Sequence, residues 1–150
     1  MQKKVVEANL AHIGVGTEQL WGTDKFHHIF KRMGISSGNQ LGYGWKEIPG
    51  RLGQLTVGYG PVIWGVDYAG DIWFKAYGDI AMDDDLVEQF WDSVDGLLRN
   101  IDVGRDGILW GVNKETNIFY REGITPANKS GTKWVVTDGK GLAITTCPTG

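Results

Sequence analysis

Only one cysteine, Cys147, occurs among the 150 residues, so the chain has no internal disulfide and no multi-cysteine metal site. Proline is scarce, at 4 residues, and no apolar run is long enough to span a bilayer. The start of the chain, MQKKVVEANLAHIGVG, has lysines but lacks the apolar core of a secretory signal. We therefore expect no membrane span, and either a cytoplasmic protein or a mature or truncated secreted one.

Concentrated charge of one sign is missing as well. The net charge is -3 at pH 7, and lysine and arginine do not cluster, which argues against nucleic acid as a partner. The residues that the chain has in abundance are 23 glycines and, for its length, 7 tryptophans. Together with many β-branched residues they favour short strands and tight turns, so residues 1–150 are expected to form a single all-β domain.

The tryptophans recur with a fixed period. In one series, with spacings of 43 and 46 residues, each tryptophan precedes a glycine: Trp21, Trp64 and Trp110. A second series has spacings of 46 and 43 residues: Trp45, Trp91 and Trp134. Each period holds four short apolar or alternating runs, which is typical of a four-stranded antiparallel sheet. Such sheets recurring every 40 to 50 residues predict the blades of a β-propeller.

Three complete blades are expected, at residues 10–48, 52–94 and 98–137. Residues 3–9 align with the last strand of a preceding blade, and residues 141–147 with the first strand of a following one. Known propellers typically have four to eight blades, and unpaired strand edges invite pairing with another chain. We therefore predict self-association through these terminal strands, or else that the sequence is part of a longer protein.

Local motifs give three further expectations. The tryptophan of each Trp-Gly pair is predicted to pack between neighbouring sheets, where the following glycine lets another backbone approach. The Pro49-Gly50 pair is predicted to form a turn between the runs WKEIPGRL and LGQLTVG. His27 and His28 are adjacent, so on a strand they would point to opposite faces and could not readily share a metal ion.

The motifs resemble the tectonin repeat of tectonin-type lectins, which include fish-egg lectin and tachylectin-1-like proteins. The segments that carry the resemblance are GWKEIPGRLGQLTVGYGPVIWGVDYAGDIWFK and LLRNIDVGRDGILWGVNKETNIFYREGITPANKSGTKW. The first repeat has a looser version of the Arg-x-Gly-Ile-Thr loop, and the second has an acidic stretch in its place. The resemblance implies a lectin that recognises microbial or cell-surface glycans, of sugar or lipopolysaccharide type, in innate defence.

A sugar offers an apolar face that packs on an aromatic ring and hydroxyls that need polar partners. The expected strand order places the long loops on one face, and these loops and their flanks supply the candidate ligand-binding residues: Arg32, Asn39, Tyr43, Trp45, Arg121, Asn128 and Trp134. Packing between blades is the alternative role for the tryptophans, and a structural ion pair is the alternative for the arginines. Repeated weak sites would strengthen binding through avidity.

A protein-interaction scaffold is the second function class, because tectonin repeats also occur in large intracellular adaptor proteins. Its expected contact is the acidic loop at residues 82–90, which carries Leu86, Val87 and Phe90. No spacing suggests a nucleophile with a base or a set of metal ligands, and the three consecutive aspartates do not fit a calcium loop. We therefore expect no enzyme activity, no catalytic residue, no metal and no cofactor.

Overall fold

The computed structural model describes residues 9–16, 19–58, 62–76, 91–104 and 106–144. Twelve strands lie in this part of the chain: β1 (Leu10–Gly16), β2 (Gln19–Asp24), β3 (His28–Met33), β4 (Gly44–Arg51), β5 (Gln54–Val57), β6 (Val62–Val66), β7 (Asp71–Ala76), β8 (Asp92–Leu97), β9 (Asn100–Val103), β10 (Leu109–Val112), β11 (Asn117–Glu122) and β12 (Lys133–Lys140). These residues contain no helix, and hence none suited to crossing a membrane.

Neighbouring strands in sequence pair antiparallel within three four-stranded sheets. Blade 1 consists of β1 to β4, blade 2 of β5 to β8 and blade 3 of β9 to β12. The all-β propeller architecture with four-stranded antiparallel blades is therefore confirmed. Residues 1–8 and 145–150, which include most of the predicted terminal strands, lie outside the described residues.

Tryptophans of the Trp-Gly pairs pack between blades, as predicted. Trp21 of blade 1 is fully buried and meets Trp91 of blade 2 edge-on, with ring centroids 6.4 Å apart. Trp64 of blade 2 is also buried and meets Trp134 of blade 3 at the same separation. Edge-to-face pairs of this kind are favourable beyond the area that they bury. The third member of the series, Trp110, is only partly buried.

The glycine after each of these tryptophans makes room mainly for a leucine side chain. A Cβ atom on Gly65 would lie 2.5 Å from Cδ1 of Leu52 and 3.1 Å from the carbonyl oxygen of Gln54. Gly22 stands in the same relation to Leu10 in blade 1. A close backbone is thus present, but the tightest contact is with the leucine that precedes or opens the first strand of the same blade.

The Pro49-Gly50 pair does not form the predicted turn. It lies inside β4, next to a shift of register between His28 and Ile29 on the neighbouring strand. Gly50 has a φ of 118°, a conformation that glycine adopts without a steric penalty. The prediction was wrong because a proline followed by a glycine suits a bulge in an edge strand as well as a turn. The chain passes to the next blade after this strand, at residues 52–53.

The Asp or Asn that follows each Trp-Gly motif closes the turn between the second and third strands. Asp24 Oδ1 accepts hydrogen bonds from the backbone N–H groups of Phe26 and His28, both at 2.9 Å. Asp67 accepts the equivalent two bonds in blade 2, and Asn113 accepts the one from the residue four positions on in blade 3. Short side-chain acceptors of this type bond to the backbone a few residues on, which explains why the repeat needs them here.

His27 lies in this turn, with a φ of 69°, and not on a strand as its pairing with His28 had suggested. The equivalent residues are Gly70 and Thr116, which also have positive φ. The turn imposes this conformation, which costs a residue with a Cβ atom about 1 kcal/mol. No group of three or more His, Cys, Asp or Glu residues close enough to hold a metal ion occurs in the described ranges.

Candidate functional site

Antiparallel strand order gives the blades two opposite faces. The long-loop face carries the connections after the third strands, residues 34–43 in blade 1 and 123–132 in blade 3. The turn face carries the turns between the second and third strands, at 25–27, 67–70 and 113–116. All seven predicted ligand-binding residues lie in the long loops or on the strand ends beside them. The acidic segment 82–90 lies outside the described residues.

The predicted residues fall into two matched pairs at the base of these loops. Arg32 and Trp45 are opposite each other on β3 and β4, and the guanidinium carbon lies 5.3 Å from the ring centre. Arg121 and Trp134 are paired in the same way on β11 and β12, at 5.2 Å. A guanidinium over an indole is favourable both electrostatically and through stacking.

Blade 2 holds a third pair that the sequence analysis missed. The ammonium nitrogen of Lys75 lies 5.3 Å from the ring centre of Trp91, and the lysine is buried. The signal was available, because Lys75 ends the run IWFK at the repeat position that arginine holds in IFKR and IFYR. Every blade that the structure describes therefore has a cationic side chain stacked on its tryptophan of the second series.

Each arginine also anchors the loop above it. Arg32 Nε donates to the carbonyl oxygen of Leu41, and Arg121 Nε donates to that of Ser130, both at 2.9 Å. Arg121 Nη1 reaches further, to Asp95 Oδ1 of blade 2 at 3.0 Å. The guanidinium groups thus join the stack, the loop and, in blade 3, the neighbouring blade.

The two long loops have the same backbone hydrogen bonds. Ser36 and Asn39 bond to each other's backbone at 2.9 and 3.1 Å, and so do Thr125 and Asn128. The equivalent residues are 89 positions apart in every case, so the looser sequence in the first repeat forms the same loop. Asn39 and Asn128 are both exposed at corresponding positions.

Tyr43 is an exposed aromatic residue of this face, with 73% of its surface accessible. It lies against Gly34, whose φ of 78° and missing Cβ leave space for the ring. In blade 3 the corresponding pair is Gly123 and Thr132, so that loop lacks the aromatic group. The side-chain amide of Asn128 donates there to the carbonyl oxygen of Gly131 at 3.1 Å.

Two tryptophans of the second series also contact the preceding blade. Trp91 Nε1 donates to the carbonyl oxygen of Pro49 at 2.8 Å, and Trp134 Nε1 donates to that of Asp95 at 2.7 Å. These are contacts of the packing role that the sequence left open for this series. For Trp45, the buried Nε1 atom finds no acceptor within the described part of the chain.

The turn face contains a groove of about 810 Å³ between blades 2 and 3, which the sequence did not predict. Val66, Leu98 and Phe119 contribute apolar surface, and Tyr68 and Arg99 are among the more polar lining residues. The one available signal was Tyr68, an aromatic residue in the middle of a turn, which is 91% exposed.

One carboxylate of the turn face has a perturbed acidity. Partial desolvation would by itself raise the pKa of Asp24, but the hydrogen bonds that it accepts lower the pKa below its usual value. They come from the side chain and backbone of His28 and from the backbone of Phe26. His28 Nδ1 lies 2.8 Å from Asp24 Oδ2.

Residues 2–150 match the tectonin domain. A mouse protein, tectonin beta-propeller repeat-containing protein 1, is 28% identical over 60 residues, which make up 40% of this chain and 5% of that protein. Human WBSCR16 is similar in structure, with a TM-score of 0.53 at 14% identity over 83% of this chain and 36% of that one. Prp20p from Saccharomyces cerevisiae gives a TM-score of 0.45 at 12% identity, over 86% and 37% of the two chains.

The chain therefore spans a small part of its mouse relative and about a third of these solved structures, and the likeness to WBSCR16 concerns the fold alone. The family match, by contrast, covers nearly all of the sequence, and the structure places the repeated motifs at equivalent positions in three successive blades. The chain belongs to the tectonin domain family.

Proposed function

We propose that this propeller binds glycans, of microbial or cell-surface origin, on its long-loop face and without enzymatic chemistry. The observation that supports the proposal is the repetition of one loop in blades 1 and 3, each with an exposed asparagine above a stacked arginine and tryptophan. A loop kept in the same conformation at two places on one face suits a ligand that itself repeats.

The seven predicted residues have two roles in this proposal. Asn39, Tyr43 and Asn128 are exposed and contact the sugar, with the tyrosine ring against its apolar face and the amides on its hydroxyls. The pairs Arg32 with Trp45 and Arg121 with Trp134 lie below and hold the loops in the binding conformation.

Avidity explains why a shallow site would be repeated. A single site of this kind binds in the millimolar range, about -4 kcal/mol. Two or more sites that engage one polymeric glycan together gain a factor of about 10² to 10⁴. The proposal therefore favours polysaccharides and lipopolysaccharides over free monosaccharides.

A glycan array, followed by calorimetry with the best polysaccharide, tests the proposal. We expect Tyr43→Ala to weaken binding at least about tenfold, since one aromatic contact of a small site is lost. Tyr68→Ala is the matched control, because Tyr68 is also an exposed tyrosine but lies on the turn face. Binding that Tyr43→Ala leaves intact, or that Tyr68→Ala weakens equally, contradicts the site.

Protein interaction is the second candidate function, and the groove on the turn face favours it. The groove combines apolar surface from Val66 and Leu98 with the charged residues Arg99, Lys114 and Glu115 at its sides. Such a surface suits an extended peptide with mixed charge. An empty glycan array, together with a purified partner whose binding is lost in Tyr68→Ala but not in Tyr43→Ala, would favour this function.

A further inference from the structure

The stack of three blades ends in two faces that have no blade against them among the described residues. The head face is the side of blade 1 turned away from blade 2, and its members are Ile13, Val15, Arg32 and Trp45. The tail face is the side of blade 3 turned away from blade 2, and its members are Trp110, Ile118, Asp138 and Gly139. In the interior of the stack, equivalent residues of these two faces contact each other.

The head face exposes apolar side chains that are buried elsewhere. Ile13 is 53% exposed and Val15 is 69% exposed, although both lie on the first strand of a blade. Their equivalents in blade 2, Leu55 and Val57, are buried against blade 1. Ile13 and Val15 therefore have the chemistry of an interface without a neighbouring blade to cover them.

The tail face also has apolar residues that no blade covers among the described residues. Trp110 and Ile118 are only partly buried. Their equivalents in the other two blades are buried almost completely, since each is covered by a following blade: Trp21, Ile29, Trp64 and Ile72. Each end face therefore lacks the neighbouring residues that the opposite end face carries.

The junction of blades 2 and 3 shows which contacts such a pair of faces makes. Arg121 and Trp134 of blade 3 dock on Asp95 and Gly96 of blade 2. The indole Nε1 donates to the Asp95 carbonyl oxygen at 2.7 Å, and the guanidinium meets the Asp95 carboxylate at 3.0 Å. Gly96 provides the space, because a Cβ atom there would lie 3.1 Å from the Trp134 ring.

The same four residue types are present on the two free faces. Arg32 and Trp45 on the head face are equivalent to Arg121 and Trp134, and Asp138 and Gly139 on the tail face are equivalent to Asp95 and Gly96. The junction of blades 1 and 2 has a proline and a lysine at the two charged positions instead. The free faces therefore match the charged junction of blades 2 and 3 in both shape and sign.

The remaining atoms at these positions fit the same arrangement. Trp45 Nε1 finds no acceptor among the described residues, although the equivalent atoms of Trp91 and Trp134 donate to a preceding blade. The space beside Gly139 is open on the side where a tryptophan covers Gly96, since its nearest neighbour would be Ile118 at 3.9 Å. The carbonyl oxygen of Asp138 accepts a long bond of 3.4 Å from the Thr137 hydroxyl, whereas the equivalent carbonyl oxygen of Asp95 accepts an indole donor at 2.7 Å.

We propose that the head face of one copy of this chain docks on the tail face of a second copy. Trp45 Nε1 then donates to the carbonyl oxygen of Asp138 of the second copy, and Arg32 pairs with its carboxylate. Two copies joined in this way at both ends close a ring of six blades, which lies within the four to eight blades of known propellers. The contact is heterologous, and the closed ring uses it twice.

Residues 141–144 compete for part of the tail face. The N–H group of Ile144 donates to Asn100 Oδ1 at 2.7 Å, and Arg99 donates to the carbonyl oxygen of Leu142 at 2.6 Å. This segment holds the place that the first strand of the docked blade would take, so it moves aside on docking. The exchange is favourable because these two hydrogen bonds are replaced by burial of three large apolar side chains of the second copy: Ile13, Val15 and Trp45.

Sedimentation velocity on the full chain over a wide concentration range tests the proposal, which does not depend on glycan binding. We expect a species with twice the mass of one chain. Val15→Glu should weaken its formation at least about tenfold, because a charge enters the buried centre of the contact. Val136→Glu is the control, since Val136 is an exposed valine whose equivalent in blade 1 is already Glu47.

A charge exchange tests the orientation of the two copies. Arg32→Asp alone should weaken the dimer, and the double variant with Arg32→Asp and Asp138→Arg should restore it, because the pair is re-formed with the opposite polarity. Circular dichroism of each variant excludes loss of the fold. A chain that stays monomeric at all concentrations overturns the proposal, and so does a dimer that Val15→Glu leaves intact or that the charge exchange does not restore.

Discussion

Arg121 of blade 3 and Asp95 of blade 2 form an ion pair at 3.0 Å in which the arginine is buried and the aspartate is largely exposed. The same guanidinium stacks on Trp134 and donates to the carbonyl oxygen of Ser130. One side chain therefore links the blade junction to the loop of the proposed glycan site, so its loss should affect both.

We expect Arg121→Ala to lower the free energy of unfolding by about 2 to 4 kcal/mol, through lost packing, an unpaired carbonyl oxygen and the broken pair. Chemical denaturation measures this change. Lys133→Ala is the control, because the pair of Lys133 with Glu122 is exposed at both ends and should contribute less than about 1 kcal/mol. Equal effects of the two substitutions would contradict the structural role of Arg121.

Trp64 and Trp110 of the Trp-Gly series differ in burial, so they should differ in their contribution to stability. Trp64→Ala should cost about 3 to 5 kcal/mol, as expected for a fully buried aromatic residue. Trp110→Ala should cost clearly less, when measured at a concentration where the chain is monomeric, because Trp110 is only partly buried there. Thermal unfolding followed by calorimetry compares the two, and the reverse order would refute the burial argument.

Gly65→Ala tests the contact between the repeat glycine and its leucine. The new Cβ atom would come within 2.5 Å of Leu52 Cδ1, so we expect a loss of about 1 to 3 kcal/mol from overpacking. The double variant with Leu52→Ala should cost less than the sum of the two single changes, because the clash is gone. Gly38→Ala, which meets nothing within 4 Å, should be nearly neutral.

Stability should also depend on acid pH through Asp24. Its pKa is lowered in the folded chain, so its contribution is present above the unfolded-state pKa of about 4 and is lost as the pH falls through the lower folded value. Asp24→Asn should flatten this dependence while the turn persists, since Asn113 closes the equivalent turn with its side-chain oxygen. Urea unfolding of both proteins between pH 6 and about 3 makes the comparison, and parallel curves would exclude this role of Asp24.

The period of the tryptophans was enough to predict the blades, because Trp21 and Trp64 fill the same space between neighbouring sheets. The loops of blades 1 and 3 were also recognisable, since Arg32 and Arg121 stand at the same repeat position. What each residue contacts was harder to predict. The partner of Arg121 is Asp95, and the acceptor of Trp91 is Pro49, and both come from the preceding blade. Sequence periodicity shows which positions of successive blades are equivalent, but it does not show which surfaces meet where two blades join.

Neither the Pro49-Gly50 bulge nor the groove beside Tyr68 was predicted from the sequence. A type II turn and a β-bulge can both place a glycine at positive φ, so the dipeptide alone does not distinguish them. The groove is formed by short turns of different blades, and the motif of each turn predicts the turn itself but not what lies across the junction from it.

Each long loop is attached to its blade through a few contacts near its ends. In each loop an arginine donates to a backbone carbonyl oxygen, and a glycine at the start of the loop leaves space for a side chain at its end. The residues at the tip of each loop, from 36 to 39 and from 125 to 128, bond mainly to one another. Such a segment can be exchanged between blades, or replaced by one of equal length, without disturbing the sheet beneath. Under the proposed function, ligand preference can therefore diverge blade by blade while the scaffold keeps its sequence.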